Sequence, residues 1–330
     1  GHTVHYDNYN DQARDKAHTW VLLPKGKTLS KHIKTTDYDE GVAEATELLT
    51  GIMEGKEMLV GFYCLGPKNS KFSLPAFQIT DSSTVIHQQN ILYRNGYTDF
   101  KSLNGSPDFF HVIHSAGELN EDNTTKNIDK RRVFIDLENE RVLTMNNQYG
   151  GSSIGLKKLS LRLSISKANK EDWLCEHMFI MGIHPEGKDR TTYFTGAFPS
   201  MCGKTSTAMV SGQTIVGDDI AFLKKGDNGE CLAANVEQGV FGVIKDICPE
   251  DDPVIYESIT TPREVVFNNV LIKDNKPYWL GMGSELPTEG TNHSGSWTKG
   301  KQDEAGNEID PSHKNARFTL AINQLENADP

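Results

Sequence analysis

The first part of the chain alternates short apolar blocks with polar turns. Apolar side chains recur at helical spacing between residues 42 and 54, which predicts a helix there. Residues 57–63 form a nearly continuous apolar run that predicts a buried strand. Two β-rich runs within residues 131–146, separated by a polar turn at 138–140, predict a hairpin.

The middle of the chain is predicted to be richer in strands. Apolar runs predict strands at residues 177–183, 191–198 and 214–223, the first of them buried on both faces of a sheet. A short helix is predicted from Thr205 to Val210. Residues 159–166, LSLRLSIS, alternate as a strand would, although a helix also fits them.

The last part of the chain is rich in Pro, Gly, Asp and Asn, with short strands predicted at residues 269–272 and 277–282. The strand-rich pattern with few long helices predicts an α/β or mixed α+β fold. A charged segment before the apolar run at 177 indicates a boundary near residue 170. We therefore predict one domain over residues 1–170 and a second over residues 171–330.

Composition narrows the range of functions. The formal net charge of −11 at pH 7 disfavours sequence-independent nucleic-acid binding, which needs a basic surface. No apolar run reaches the roughly 20 residues of a membrane span, so no membrane partner is expected. The five cysteines form no CxxC pair, which favours reduced thiols and a cytoplasmic location.

Residues 196–209, GAFPSMCGKTSTAM, contain the end of a phosphate-binding loop without its usual beginning. The pattern G-x-x-x-x-G-K-[ST] places a glycine where this chain has Phe198. A strand, a Gly-Lys-Thr loop and a helix would still supply backbone N–H groups, a lysine for phosphate charge and a hydroxyl for a metal. Gly203, Lys204 and Thr205 are the candidates. The motif alone favours an ordinary turn, and the buried strand before it leaves the two interpretations equally open.

Three further polar features are ambiguous when each is taken alone. Asp218 and Asp219 interrupt a predicted strand; as metal ligands they would need different roles, because adjacent strand residues point to opposite faces. A polar turn is the simpler interpretation of that pair. His177 could be a metal ligand or an ordinary packed residue. The Tyr-Gly-Gly segment at 149–151 and the lysine pair at 157–158 could admit a small anion or form a solvated loop.

Together, in this order and spacing, these features resemble phosphoenolpyruvate carboxykinase of the GTP-dependent type. Four segments carry the resemblance: QYGGSSIGLKK (148–158), WLCEHMFIMGI (173–183), FPSMCGKT (198–205) and VGDDIAF (216–222). Three more extend it over nearly the whole chain: DQAR (11–14), NVEQGVFGV (235–243) and NARF (315–318). The Phe-Pro-Ser loop is typical of the GTP-dependent type, whereas the ATP-dependent type has a more Gly-rich loop. The resemblance also implies a P-loop-containing second domain and a helix, rather than a strand, after residue 158.

The resemblance implies a role for each matched residue. The catalytic Mn²⁺ would be held by Lys158, as a neutral amine, with His177 and Asp219. The substrate would be contacted by Arg14, Tyr149, Gly150, Gly151, Ser200, Phe241, Asn315 and Arg317. The nucleotide would be contacted by Met201, Cys202, Gly203, Lys204, Thr205 and Asp218, with Thr205 also on the nucleotide's Mg²⁺ or Mn²⁺. Catalysis would depend most directly on Ser200, Cys202, Lys204 and Arg317.

The activity implied is the reversible conversion of oxaloacetate and GTP into phosphoenolpyruvate, CO₂ and GDP, a step of gluconeogenesis. Loss of CO₂ leaves an enolate, stabilised by Mn²⁺ and the arginines, that attacks the γ-phosphate in line. The enolate must be shielded from water, so a closing lid is expected. A cytoplasmic monomer is expected.

The chain departs from the family in two respects. Ser152 stands where the family usually has asparagine, a small polar change. Family members also extend well beyond the Asn-x-Arg segment, and that extension supplies the guanine pocket and the lid. We therefore expect this chain to be part of a longer carboxykinase with an incomplete nucleotide-binding domain. Two alternatives stay open: pyrophosphate as the phosphoryl donor, and an inactive protein that binds metal and dicarboxylate.

Overall fold

A computed structural model describes residues 1–13, 16–199 and 202–330, except for the side chain of Lys158. The chain forms two compact units. The N-terminal unit comprises residues 13–177 and 220–236, and the C-terminal unit comprises residues 1–12, 178–219 and 237–330. Both units contain residues from either side of position 170, and the boundary at residue 170 remains a prediction.

The described residues form seven α-helices and 22 strands. The helices are α1 (Tyr38–Leu49), α2 (Ser83–Leu92), α3 (Tyr97–Ser102), α4 (Gly150–Ser153), α5 (Lys158–Lys170), α6 (Lys204–Ala208) and α7 (Pro253–Thr260). The first eleven strands are β1 (His2–His5), β2 (Thr19–Leu23), β3 (Thr35–Asp37), β4 (Leu59–Leu65), β5 (Leu74–Thr80), β6 (Arg94–Asn95), β7 (Phe110–Ser115), β8 (Arg132–Asp136), β9 (Arg141–Met145), β10 (Leu174–Glu176) and β11 (Met178–Ile183). The others are β12 (Thr192–Ala197), β13 (Thr214–Gly217), β14 (Ala221–Lys225), β15 (Cys231–Asn235), β16 (Gly239–Val243), β17 (Val265–Asn268), β18 (Leu271–Lys273), β19 (Lys276–Tyr278), β20 (Glu289–Asn292), β21 (Gly295–Thr298) and β22 (Arg317–Ala321).

The N-terminal unit is built on a mixed eight-stranded sheet in the order β3-β2-β8-β9-β7-β5-β4-β6, beside a small sheet β10-β14-β15. Helix α1 packs on the large sheet through a core that includes Leu22, Ala45, Phe134, Leu143 and Met145. Strands β8 and β9 form the predicted hairpin. The mixed α/β architecture predicted from the sequence is confirmed.

Two helices of the N-terminal unit show how local signals set their ends. Helix α1 starts four residues before the predicted position, because the Asp37 carboxylate accepts a hydrogen bond from Asp39 N at 3.1 Å. The helix ends at Leu49, not at residue 54, before Gly51 adopts a left-handed φ of 71°. Residues 159–166 lie within α5, so the helix implied by the resemblance is confirmed.

The C-terminal unit has three sheets, in the orders β1-β17-β22-β16, β12-β11-β13 and β19-β18-β20-β21. A shared apolar core joins elements of this unit, and Trp279 lies in it fully buried with its Nε1 donating to Ile247 O at 2.9 Å. Strand β11 is central and buried, as predicted, with β12 and β13 antiparallel on its two sides.

Three strand predictions in this part of the chain need correction. The single strand predicted at 214–223 is two strands, β13 and β14, which belong to different sheets. A bend between them contains Asp218 and Asp219, so these two side chains are not on opposite faces of one strand, as the sequence had suggested. The strand predicted at 269–272 begins only at Leu271, because Asn269 has a left-handed φ of 61°. The strand predicted at 277–282 is the shorter β19.

Candidate active site

The Gly-Lys-Thr segment follows strand β12, with Gly203 just before helix α6 and Lys204 and Thr205 as its first residues, the order that a phosphate loop requires. Gly203 has a left-handed φ of 88°, a backbone conformation that side-chain-bearing residues rarely adopt. Its carbonyl accepts hydrogen bonds from Thr207 N at 2.9 Å and Thr207 Oγ1 at 2.8 Å. Thr205 is half-buried in the first turn of the helix. Hydrogen bonds from Thr207 to the Gly203 carbonyl therefore stabilise the turn where it enters the helix.

Among loop residues 200–202, the described part of the chain includes Cys202 alone. Cys202 is exposed and its Sγ lies 2.8 Å from the carbonyl oxygen of Pro199. Ser200 and Met201 lie outside the described residues, and so does Arg14 near the start of the chain. Their predicted roles remain predictions.

Lys204 is turned into the protein rather than into solvent. Its Nζ donates to the Asp219 backbone carbonyl at 3.1 Å and also to the Asp219 carboxylate. The side chains of Lys204 and Asp219 are only 9% and 7% exposed, so this is a buried ion pair. Asp218, beside it, is also buried. The structure thus brings the loop lysine and the carboxylate pair of the sequence analysis to one place.

A second group of predicted residues surrounds Arg317 at the start of β22. The Arg317 guanidinium donates to Asn315 Oδ1 at 3.0 Å, and its Cζ lies 5.2 Å from the centre of the Phe241 ring. Asn315 Nδ2 in turn donates to the main-chain oxygen of Gln12 at 2.9 Å. A planar guanidinium that lies over an aromatic ring and is held by an amide is preorganised to bind a carboxylate or phosphate.

The Tyr-Gly-Gly turn belongs to the N-terminal unit and is held from behind. The Tyr149 carbonyl accepts from Ser152 N at 2.8 Å and Ser153 N at 2.9 Å, which closes the short helix α4. A Cβ on Gly151 would lie 2.6 Å from a ring carbon of Tyr149, so a larger residue would displace that buried ring. Gly150, the first residue of α4, is itself buried.

Two side chains of the large sheet donate hydrogen bonds to carbonyl groups of this turn. Gln78 Nε2 donates to Ser153 O at 2.8 Å, and Thr144 Oγ1 donates to Ser152 O at 3.1 Å. Both donors are fully buried. Gln78 and Thr144 could not be identified from the sequence, since a polar residue within an apolar strand gives no signal of what it contacts.

The remaining predicted metal ligands, Lys158 and His177, belong to the N-terminal unit. His177 follows β10 and is half-buried. Lys158 begins α5, and the residue before it, Lys157, is 1% exposed. The interpretation of residues 157–158 as a solvated pair is therefore wrong for Lys157. Among the described residues, no three His, Cys, Asp or Glu side chains form a metal centre, whereas the predicted set combines one histidine and one aspartate with a lysine.

Comparison with known proteins identifies the family. Residues 1–169 match the profile of the phosphoenolpyruvate carboxykinase N-terminal domain. Residues 173–330 match that of the phosphoenolpyruvate carboxykinase C-terminal P-loop domain. The chain belongs to the phosphoenolpyruvate carboxykinase family. The resemblance stated from the sequence motifs is confirmed.

Curated relatives carry the name phosphoenolpyruvate carboxykinase [GTP]. The protein from Thermococcus kodakarensis is 59% identical over 99% of this chain and 52% of its own length. That from Pyrococcus abyssi is 56% identical over 99% of this chain and 53% of its own. A more distant relative from Chlamydia muridarum is 31% identical over 97% of this chain and 54% of its own. The chain thus spans about half the length of the curated relatives it matches.

None of the described helices combines the length and the apolar character that crossing a bilayer requires.

Proposed function

We propose that the chain carries the metal- and substrate-binding part of a GTP-dependent phosphoenolpyruvate carboxykinase, which interconverts oxaloacetate and GTP with phosphoenolpyruvate, CO₂ and GDP. The observation that carries the proposal is the buried contact between Lys204 and Asp219. It joins the phosphate-loop lysine to a predicted metal ligand, in a chain whose relatives bear that enzyme's name. In phosphoryl transfer, catalysis comes from positioned charge rather than from covalent chemistry.

The donor chemistry fits a divalent cation such as Mn²⁺. Imidazole, carboxylate and a neutral amine are acceptable ligands, and we assign them to His177, Asp219 and Lys158. The Asp219 carboxylate is buried, and so is the neighbouring Asp218. When bound, the cation would supply Lewis-acid stabilisation of negative oxygen. Thr205 and Asp218 would serve the Mg²⁺ or Mn²⁺ that accompanies the nucleotide.

The protein's own groups would then bind and orient the reactants. Arg317, held by Asn315 and lying over the Phe241 ring, would bind a carboxylate of oxaloacetate or the phosphate of phosphoenolpyruvate, with Arg14 assisting. Tyr149 and the Gly150-Gly151 backbone would form another wall of the substrate site. Lys204 would stabilise the transferring phosphoryl group.

The loop segment before Lys204 would contact the reactants directly. Ser200 would contact the substrate, and Met201 and Cys202 would contact the nucleotide. We also propose that the protein is a cytoplasmic monomer without a nucleic-acid partner, in keeping with five unpaired cysteines and an acidic chain.

A donor panel on the full-length gene product tests the reaction. GTP, ITP, ATP and pyrophosphate are each supplied with oxaloacetate and Mn²⁺, and phosphoenolpyruvate is measured. The proposal predicts that GTP is the preferred donor. Preference for pyrophosphate would overturn the assignment of the donor, and absence of product with every donor would favour an inactive binding protein.

The share of the nucleotide pocket carried by residues 1–330 is tested by titrating GTP against this chain and against a C-terminally extended form. We expect weak binding by the 330-residue chain and tight binding by the extended form. Equally tight binding by both would show that the guanine pocket lies within residues 1–330.

A further inference from the structure

Asn268, the last residue of β17, is buried in a way that the fold does not account for. It is 1% exposed, yet neither its Oδ1 nor its Nδ2 has a hydrogen-bond partner among the described residues. A buried amide left without partners is destabilising, and such groups are uncommon in native proteins. The next residue shows the contrast: Asn269 bonds Asp7 through Oδ1 at 2.9 Å and Nδ2 at 2.7 Å.

Strand pairing places Asn268 beside the predicted substrate arginine. In the antiparallel pair of β17 and β22, Asn268 is directly opposite Arg317. Directly opposite residues point to the same face of a sheet, with Cβ atoms about 5 Å apart. The Arg317 guanidinium donates to Asn315 Oδ1 and lies over the Phe241 ring.

A second buried amide lies in the same part of this unit. Gln12 is 2% exposed, and its side-chain Oε1 and Nε2 also have no partner among the described residues. Its main-chain oxygen accepts from Asn315 Nδ2, and Asn315 Oδ1 accepts from Arg317. Asn268, opposite Arg317, and Gln12, whose main chain is linked to Arg317 through Asn315, thus both have side-chain hydrogen-bonding groups that no described residue satisfies.

We propose that the Asn268 amide is a further substrate-contact group, which donates from Nδ2 to an oxygen of the small dicarboxylate that Arg317 binds. The inference rests on the proposed function. An amide donor adds direction to the charge of the guanidinium without adding charge of its own. The uncompensated amide in the ligand-free protein is then the expected cost of a preformed site.

Oxalate, a dicarboxylate probe, tests the inference by calorimetric titration of the 330-residue chain in the presence of Mn²⁺. Asn268→Leu keeps the size of the side chain but removes its hydrogen-bonding groups. We expect it to raise the Kd of oxalate by about tenfold or more, the effect of losing a hydrogen bond to a charged group. Its Tm without ligand should be unchanged or higher, since an unpaired buried amide has been removed. Asn268→Asp should weaken oxalate further, because it places a carboxylate beside Arg317.

Asn292→Leu is the matched control, because Asn292 is equally buried but donates to Asp310 O and Pro311 O at 3.0 Å each. It should lower Tm and leave oxalate affinity unchanged. Asn268→Ala repeats the test with a smaller side chain, in case leucine cannot be accommodated.

Arg317→Lys separates failure of the inference from failure of the proposed function. Weaker oxalate binding in Arg317→Lys, with affinity in both Asn268→Leu and Asn268→Ala within twofold of wild type, would overturn the inference and leave the proposed function intact. No oxalate binding by the wild-type chain would overturn the proposed substrate site and the inference with it.

Discussion

Replacing Lys204 with methionine removes the ammonium group that the structure buries against Asp219, while keeping a side chain of similar length. The magnitude of the effect depends on whether the pair is at the surface or inside. Exposed ion pairs contribute about 0–1 kcal/mol, whereas breaking a buried pair costs about 3–5 kcal/mol. With side chains 9% and 7% exposed, Lys204 and Asp219 belong to the buried class. We therefore expect Lys204→Met to lower the free energy of unfolding by about 3 kcal/mol.

A double-mutant cycle measures the interaction itself. Asp219→Asn should cost a similar amount, because it leaves the Lys204 ammonium buried without its carboxylate. The double variant should cost about 2 kcal/mol less than the sum of the two single changes, since neither charge is then left uncompensated. The assay is urea unfolding of the four proteins, followed by fluorescence and circular dichroism together. Additive effects in the double variant would refute the buried-pair reasoning.

Three further predictions concern buried polar groups. Burial alone would raise the pKa of Asp81, but hydrogen bonds from Ser115 and the Lys56 ammonium lower it overall. The ionised Asp81 carboxylate therefore stabilises the folded state. This stabilisation is complete above the unfolded pKa of about 3.9 and is lost as pH falls through the lower folded pKa. In acid-unfolding titrations, Asp81→Asn should abolish this loss of stability at low pH. An unchanged dependence of stability on acid would contradict the prediction. Burial and His313 lower the pKa of His293 to about 4. The free energy of unfolding should therefore decrease as pH is lowered from about 6.5 to 4, by at most about 3 kcal/mol. His293→Asn should make the urea midpoint independent of pH over that range, and a persisting pH dependence would exclude this histidine as its cause. Gln78→Leu should lower the free energy of unfolding by about 1–3 kcal/mol, because it leaves a buried carbonyl unpaired, and it should weaken oxalate binding measured by calorimetry. Unchanged Tm and oxalate affinity would show that the Tyr-Gly-Gly turn does not need the Gln78 hydrogen bond.

The sequence predicted the mixed fold and the order of its main elements, because periodicity and turn residues act locally. Helix ends were less accurate, as the capping of α1 by Asp37 shows. The strand predicted at 214–223 was wrong because hydropathy continues through the bend at Asp218 and Asp219 while the chain changes sheets. Only long-range pairing determines where such a run divides.

The candidate site was predicted unevenly for the same reason. The Gly-Lys-Thr loop is a local motif, and the structure places its lysine on Asp219, 15 positions away in the sequence. Gln78 and Asn268 could not be identified from the sequence, because their significance comes from a carbonyl in α4 and from the strand register with Arg317. Motifs show which residues carry chemistry, whereas tertiary structure shows which residues hold them.

The central claim is that Lys204 acts on the transferring phosphoryl group, and one comparison tests it most directly. Phosphoenolpyruvate formation from oxaloacetate and GTP is measured for the full-length gene product with Lys204 and with methionine in its place, alongside oxalate and Mn²⁺ binding by both proteins. The account predicts that product formation falls by about a thousandfold or more, while Mn²⁺ and oxalate binding are largely retained. Activity that survives Lys204→Met would contradict the assignment of this loop.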